Sequence, residues 1–105
     1  MEVILTTDEL KMWYETGKEI GKPKFPKGII KRFQEKIDIL WSVQNSSQLF
    51  LYRSLNFEPL TKEKKYKGMH SIRVNDQFRI ILRIVKKGEV ETIEVAEILD
   101  LTDYH

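Results

Sequence analysis

Apolar residues recur along this chain with two periods, and the change from one to the other separates a helical first half from a strand-rich second half. Residues 1–5 form a short apolar run of edge-strand type. Thr6 follows with a hydroxyl suited to a helix N-cap, and Glu9 stands three residues on, which reads as a capping box. Leu10, Trp13 and Tyr14 then fall at helical spacing, and Gly17 ends the segment. Pro26 suits the first turn of a second helix, where no N–H is required. Ile29, Ile30, Phe33, Ile37, Leu40 and Trp41 repeat at three- and four-residue steps, while Lys31, Arg32, Glu35, Lys36 and Asp38 take the opposite face. The aromatic residues of this helix are assigned to the core. Residues 44–47 break the pattern, and the apolar stretch 49–55 is too short to assign.

From residue 69 the period becomes two. His70, Ile72 and Val74 alternate with Met69, Ser71 and Arg73; Phe78, Ile80, Leu82 and Ile84 alternate with Arg79, Ile81 and Arg83. The length of the intervening turn decides which residues share a face. A two-residue loop pairs Val74 with Gln77 and sets Arg79 beside Ile72. The loop Asn75-Asp76-Gln77 instead pairs Val74 with Phe78, Ile72 with Ile80 and Arg73 with Arg79. The longer loop is preferred, because it leaves one apolar face and gathers both arginines on the other. Burying an unpaired arginine costs several kcal/mol, roughly. Lys86-Lys87-Gly88 is the next turn, residues 90–99 a further strand, and 101–105 a tail. The expected architecture is α+β in one domain spanning residues 1–105: two N-terminal helices packed on a small, twisted, mainly antiparallel sheet.

Charge alters this picture by its distribution. The net charge is only +2. Residues 62–88 hold nine Lys/Arg against two Asp/Glu, and residues 89–105 hold six Asp/Glu with no Lys or Arg. The basic block either meets phosphates or is a solvated face neutralised by the acidic strand beside it. The chain contains no cysteine, which excludes disulfides and thiolate metal sites. It has no apolar run of about 20 residues and no N-terminal signal pattern, so a soluble cytoplasmic protein without membrane contact is expected.

His70 and His105 are the only histidines, and neither stands at metal-ligand spacing with another candidate. There is no phosphate-binding glycine loop. No metal and no cofactor is expected. Cleavage of RNA through its own 2′-hydroxyl needs neither. It needs a proton acceptor, a proton donor and cations that hold the charge building on the phosphorus. Arg73 and Arg79 are candidates for the cations, with forks that grip phosphate at two points. Lys62, Lys64, Lys65 and Lys67 cluster before the strand. Asp103, Tyr104 and His105 are titratable, and His105 is the one whose ordinary pKa, about 6.5, lies near neutrality. The arginines and the lysine run also have an ordinary reading as surface charge, and His70 reads as a half-buried core residue.

The segment KGMHSIRVNDQFRIILRI, followed by EVAEILDLTDYH, resembles the C-terminal half of the RelE/ParE superfamily of toxins over roughly residues 67–105. It is most similar to the HigB-like branch, with its S-I-R-V-N strand, the arginine after an aromatic residue, and the D-Y-H ending. Phe78 stands where that branch commonly has tryptophan or tyrosine. The run from 60 to 68 is two residues longer than the family's usual L-K-G-D-R-K-G, and Phe57-Glu58 stands where a histidine is often found.

The resemblance implies a RelE-like microbial RNase fold and the toxin of a bacterial type II toxin–antitoxin pair. It implies a metal-independent endoribonuclease that cuts mRNA in the ribosomal A site against rRNA. A cognate antitoxin, expected to be a small helix-turn-helix DNA-binding protein, would silence it. By position it assigns Arg79 to phosphate stabilisation, and Tyr104 and His105 to acid–base work assisted by Asp103. Arg73 and Asn75 go to RNA binding, with Lys64, Lys65 and Lys67 in support. Lys62 is the first choice for the catalytic lysine, with Lys64 and Lys65 behind it. Two rivals stay open: a ParE-like toxin that binds gyrase and cuts no RNA, and a ribosome- or RNA-binding module without catalysis.

Overall fold

The alternation of apolar residues around Asn75 builds the centre of the sheet. In the computed structural model, which describes residues 1–103, the order is β1 (Glu2–Leu5), α1 (Asp8–Thr16), α2 (Ile29–Ser42), β2 (Glu58–Pro59), β3 (His70–Arg73), β4 (Phe78–Lys87) and β5 (Ile93–Asp103). Short 3-10 turns at Ser46–Leu51, Arg53–Leu55 and Lys64–Tyr66 fill the connections. The sheet order is β1-β5-β4-β3-β2, with β1 parallel to β5 and every other pair antiparallel. The fold is α+β, as expected.

One face of the sheet carries Ile72, Ile80, Leu82, Ala96 and Ile98, all at 0 % exposure, and joins a single apolar cluster with Leu10, Trp13, Phe33, Ile37 and Leu40 of the helices. Each such large side chain contributes roughly 1.5–3 kcal/mol by leaving water. Phe25 bridges the layers, edge-on to Trp13 at 5.2 Å and to Phe78 at 5.3 Å. The helices are delimited by local chemistry. Thr7 caps α1 by accepting from the Leu10 N–H, and Gly17 closes it in the left-handed region at φ 71°, where a Cβ is costly.

Several boundaries differ from the sequence reading. The cap is Thr7, not Thr6. Just past the end of the β1–β5 ladder, the Thr6 N–H and hydroxyl both donate to the Ile98 carbonyl, which ties Thr6 to β5. No capping box forms; Glu9 pairs with Lys24 instead. Pro26 precedes α2, which begins at Ile29 after the left-handed Gly28. Trp41 is half exposed rather than core. The strand expected at 90–99 runs from Ile93 to Asp103, so residues 101–103 are strand and not tail. A bulge makes this possible: Ile81 faces Asp100 while Leu82 faces Ile98, which leaves Leu99 as an extra residue.

Candidate active site

The longer turn forms. Val74 and Asn75 N–H groups both donate to the Phe78 carbonyl, and the register pairs Ile72 with Ile80 and Arg73 with Arg79. Asn75 supplies the turn chemistry itself. Its side-chain oxygen accepts from the backbone N–H of Gln77 at 2.9 Å and of Phe78 at 2.6 Å. The residue assigned to RNA binding by resemblance is therefore engaged in shaping the hairpin. Arg73 and Arg79 are cross-strand neighbours on the sheet face away from the helices. Their environments differ. Arg73 pairs with Asp76 at the exposed turn and keeps 39 % of its side chain in solvent.

Among the described residues Arg79 is held from three sides, with only 11 % of its side chain exposed. Its Nε donates to the Ser71 hydroxyl at 2.7 Å, one Nη donates to the Asn56 carbonyl at 2.7 Å, and the Glu58 carboxylate lies 3.5 Å away. Short β2 makes this possible: Glu58 faces Ser71 across the β2–β3 pair, which sets both on the arginine face. Asn56, just before, takes a left-handed conformation at φ 43° and turns its carbonyl toward Arg79. Sequence reasoning missed these three groups. Ser71 was legible, since period two sets it on the same face as Arg73. Glu58 and Asn56 carry no local signal, because a two-residue strand has no periodicity.

The remaining candidates are spread out. Lys62, Lys64, Lys65 and Lys67 are exposed in the connection between β2 and β3, with Lys65 over the Tyr66 ring at 4.9 Å. That connection joins β3 at His70, whereas Arg73 and its turn stand at the other end of the strand, about 10 Å along at ~3.3 Å per residue. Asp103 pairs with Phe78 and accepts from the Gln77 side chain at 2.9 Å; the neighbour of Arg79 on β5 is Thr102. Alternation thus sets Asp103 on the opposite side of the sheet from Arg79. Tyr104 and His105 lie outside the described residues. His70 stacks on Phe57 at 4.8 Å with its Nδ1 buried and unpartnered among the described residues, and burial pushes its pKa down. It is half-buried, as its alternation predicts. Among the described residues no group of three or more His, Cys, Asp or Glu is placed to hold a metal ion, and no helix is long and apolar enough to cross a membrane.

Chemically, this is a preorganised guanidinium beside a half-exposed carboxylate, next to the end of the strand that leads into Tyr104. A family model described as a HigB-like toxin, the RelE-like toxin of type II toxin–antitoxin system HigB, matches residues 5–105. Among solved structures, the YoeB/ParE toxin from Agrobacterium tumefaciens is similar at a TM-score of 0.59 and 12 % identity, covering 100 % of both chains. At that identity the likeness is one of fold. No curated protein matches.

Proposed function

Because the chain belongs to the HigB-like family of RelE-like toxins of type II toxin–antitoxin systems, we propose that it is a ribosome-dependent endoribonuclease that cuts mRNA. Family membership carries with it an antitoxin partner. The observation that carries the nuclease reading is the fixed Arg79 fork, bonded at Nε and Nη and flanked by Glu58. Such a cation suits a phosphate whose charge rises during reaction, since it is oriented before the substrate arrives.

The reaction runs by attack of a ribose 2′-oxygen on the adjacent phosphorus. A base takes the 2′-hydroxyl proton, the bond from phosphorus to the 5′-oxygen breaks, and an acid protonates that leaving oxygen. A 2′,3′-cyclic phosphate and a 5′-hydroxyl result. Arg79 stabilises the negative charge at phosphorus. Glu58 is the carboxylate nearest to it in the described structure and joins Tyr104 and His105 as a candidate proton carrier. Arg73 and the lysines of the β2–β3 connection bind flanking phosphates in this reading, weakly and in a salt-dependent way.

Induction in cells followed by primer extension on a reporter mRNA tests it, together with the purified protein and the same mRNA with and without ribosomes. Cleavage only with ribosomes, lost in His105→Ala, is the expected result. Intact mRNA accompanied by inhibited DNA supercoiling would assign the chain to the gyrase-binding class. Ribosome binding without cut products would make it a non-catalytic binder.

A further inference from the structure

Ser71 is anomalous. Among the described residues it is the one polar side chain in the buried set, at 0 % exposure, on the sheet face away from the helices. A buried hydroxyl needs a partner, and it accepts from Arg79 Nε at 2.7 Å. Asn56 is also unusual. It is the one non-glycine residue among those described with positive φ, at 43°, and its carbonyl accepts from Arg79 Nη at 2.7 Å. Backbone in that region persists where its surroundings over-determine it.

The two contacts engage different nitrogens of one planar group. Together they fix the plane of the guanidinium and its rotation about the side-chain axis. Glu58 alone, at 3.5 Å and with 46 % of its side chain exposed, would leave both free.

Resting on the nuclease reading above, we infer that Ser71 is a positioning residue: with the Asn56 carbonyl it locks the Arg79 fork in the orientation that meets the scissile phosphate. A guanidinium already immobilised loses little side-chain freedom on meeting the phosphate and aims its charge where it develops in the transition state. The ordinary rival is that Ser71 and Arg79 merely satisfy each other within the fold. The two differ in what they move. A positioning residue lowers kcat of the folded protein and does so only through Arg79, whereas mutual satisfaction within the fold moves the melting midpoint and leaves kcat of the folded protein unchanged.

The test is a double-mutant cycle of Ser71→Ala and Arg79→Ala in the full-length protein, read as cleavage of a reporter mRNA on ribosomes, with thermal melts alongside. Ser71→Ala should lower kcat by about 10- to 100-fold with KM little changed, and add no further loss in the Arg79→Ala background. Arg79→Lys should lose nearly as much kcat as Arg79→Ala, because an ammonium keeps the charge but cannot span both acceptors in the same plane. Should Ser71→Ala fail to fold, Ser71→Cys, close in volume and a weak acceptor, stands in its place, and Arg79→Lys is read independently.

Ser71→Ala within about twofold of the parent, while Arg79→Ala is inactive, overturns the positioning role and leaves the nuclease reading standing. Equal, additive losses in both backgrounds overturn it, because Ser71 then acts without Arg79. Full cleavage by Arg79→Ala overturns both this inference and the part assigned to Arg79.

Discussion

Replacing Arg79 with alanine separates what this side chain does for the fold from what it does for the reaction. The stability cost follows from the partners left behind. The Ser71 hydroxyl, at 0 % exposure, loses its donor, and an orphaned buried polar group costs about 1–3 kcal/mol. The Glu58 contact adds little, since that carboxylate is 46 % exposed and the pair spans 3.5 Å; pairs in solvent contribute about 0–1 kcal/mol. A loss of about 1–3 kcal/mol is survivable against the roughly 5–15 kcal/mol typical of a domain, and should lower the melting midpoint by about 4–8 °C per kcal/mol. Removing one group that stabilises transition-state charge should slow cleavage by about 10²–10³. Thermal melts and ribosome-programmed cleavage of a reporter mRNA, run on the same preparation at a temperature well below the melt, read the two numbers separately. Cleavage within about tenfold of the parent, on a protein whose melt has shifted as expected, would refute the catalytic argument. An unchanged melt would refute the burial argument.

Other outcomes follow from the rest of the molecule. Tyr14 donates to the Asp38 carboxylate at 2.6 Å, and that bond, then burial, pushes its pKa from 10.0 up to about 12. The folded value lies above the unfolded one, so this contribution to stability is complete below pH 10 and lost as the pH rises through 12. Asp38→Asn should bring the ultraviolet titration of Tyr14 back toward 10 and flatten alkaline unfolding over that window; an unmoved titration would assign the shift elsewhere. His70 has its pKa pushed below 6.5 by burial, so stability is full above pH 6.5 and falls as protons bind the unfolded chain more tightly below it. His70→Phe, which keeps an aromatic partner for Phe57, should remove part of the acid-side loss in melts run between pH 7 and about 5. Thr7→Ala removes the α1 cap and should cost about 1 kcal/mol in denaturant unfolding. If Thr6→Ala weakens α1 while Thr7→Ala is neutral, the cap is misplaced.

The period of apolar residues and the chemistry of the turns were readable because both are written in neighbours along the chain. Ile29, Ile30, Phe33, Ile37 and Leu40 occupy one helical face and are buried together. Asn75 closes its own turn through N–H groups two and three residues on, which set Arg73 opposite Arg79. The error at Thr6 has the complementary cause, since its hydroxyl is taken up by the Ile98 carbonyl, far along the chain. The strand through residues 101–103 was missed for a similar reason: the bulge at Leu99 exists only relative to β4.

The basic block between residues 62 and 88 showed as charge, but charge alone did not distinguish its members. Tertiary contacts did. They leave the lysines in solvent, tie Arg73 to a turn, and bury Arg79 against Ser71, Asn56 and Glu58. Those three partners are 8, 23 and 21 residues from Arg79 and belong to two other segments. Local sequence determined that an arginine would stand on the second strand of this hairpin. Only the folded sheet, by pairing β2 to β3 and β3 to β4, decided that this one is immobilised. The physical reason is that orienting a fork takes acceptors from several directions, and one stretch of backbone supplies them from only one.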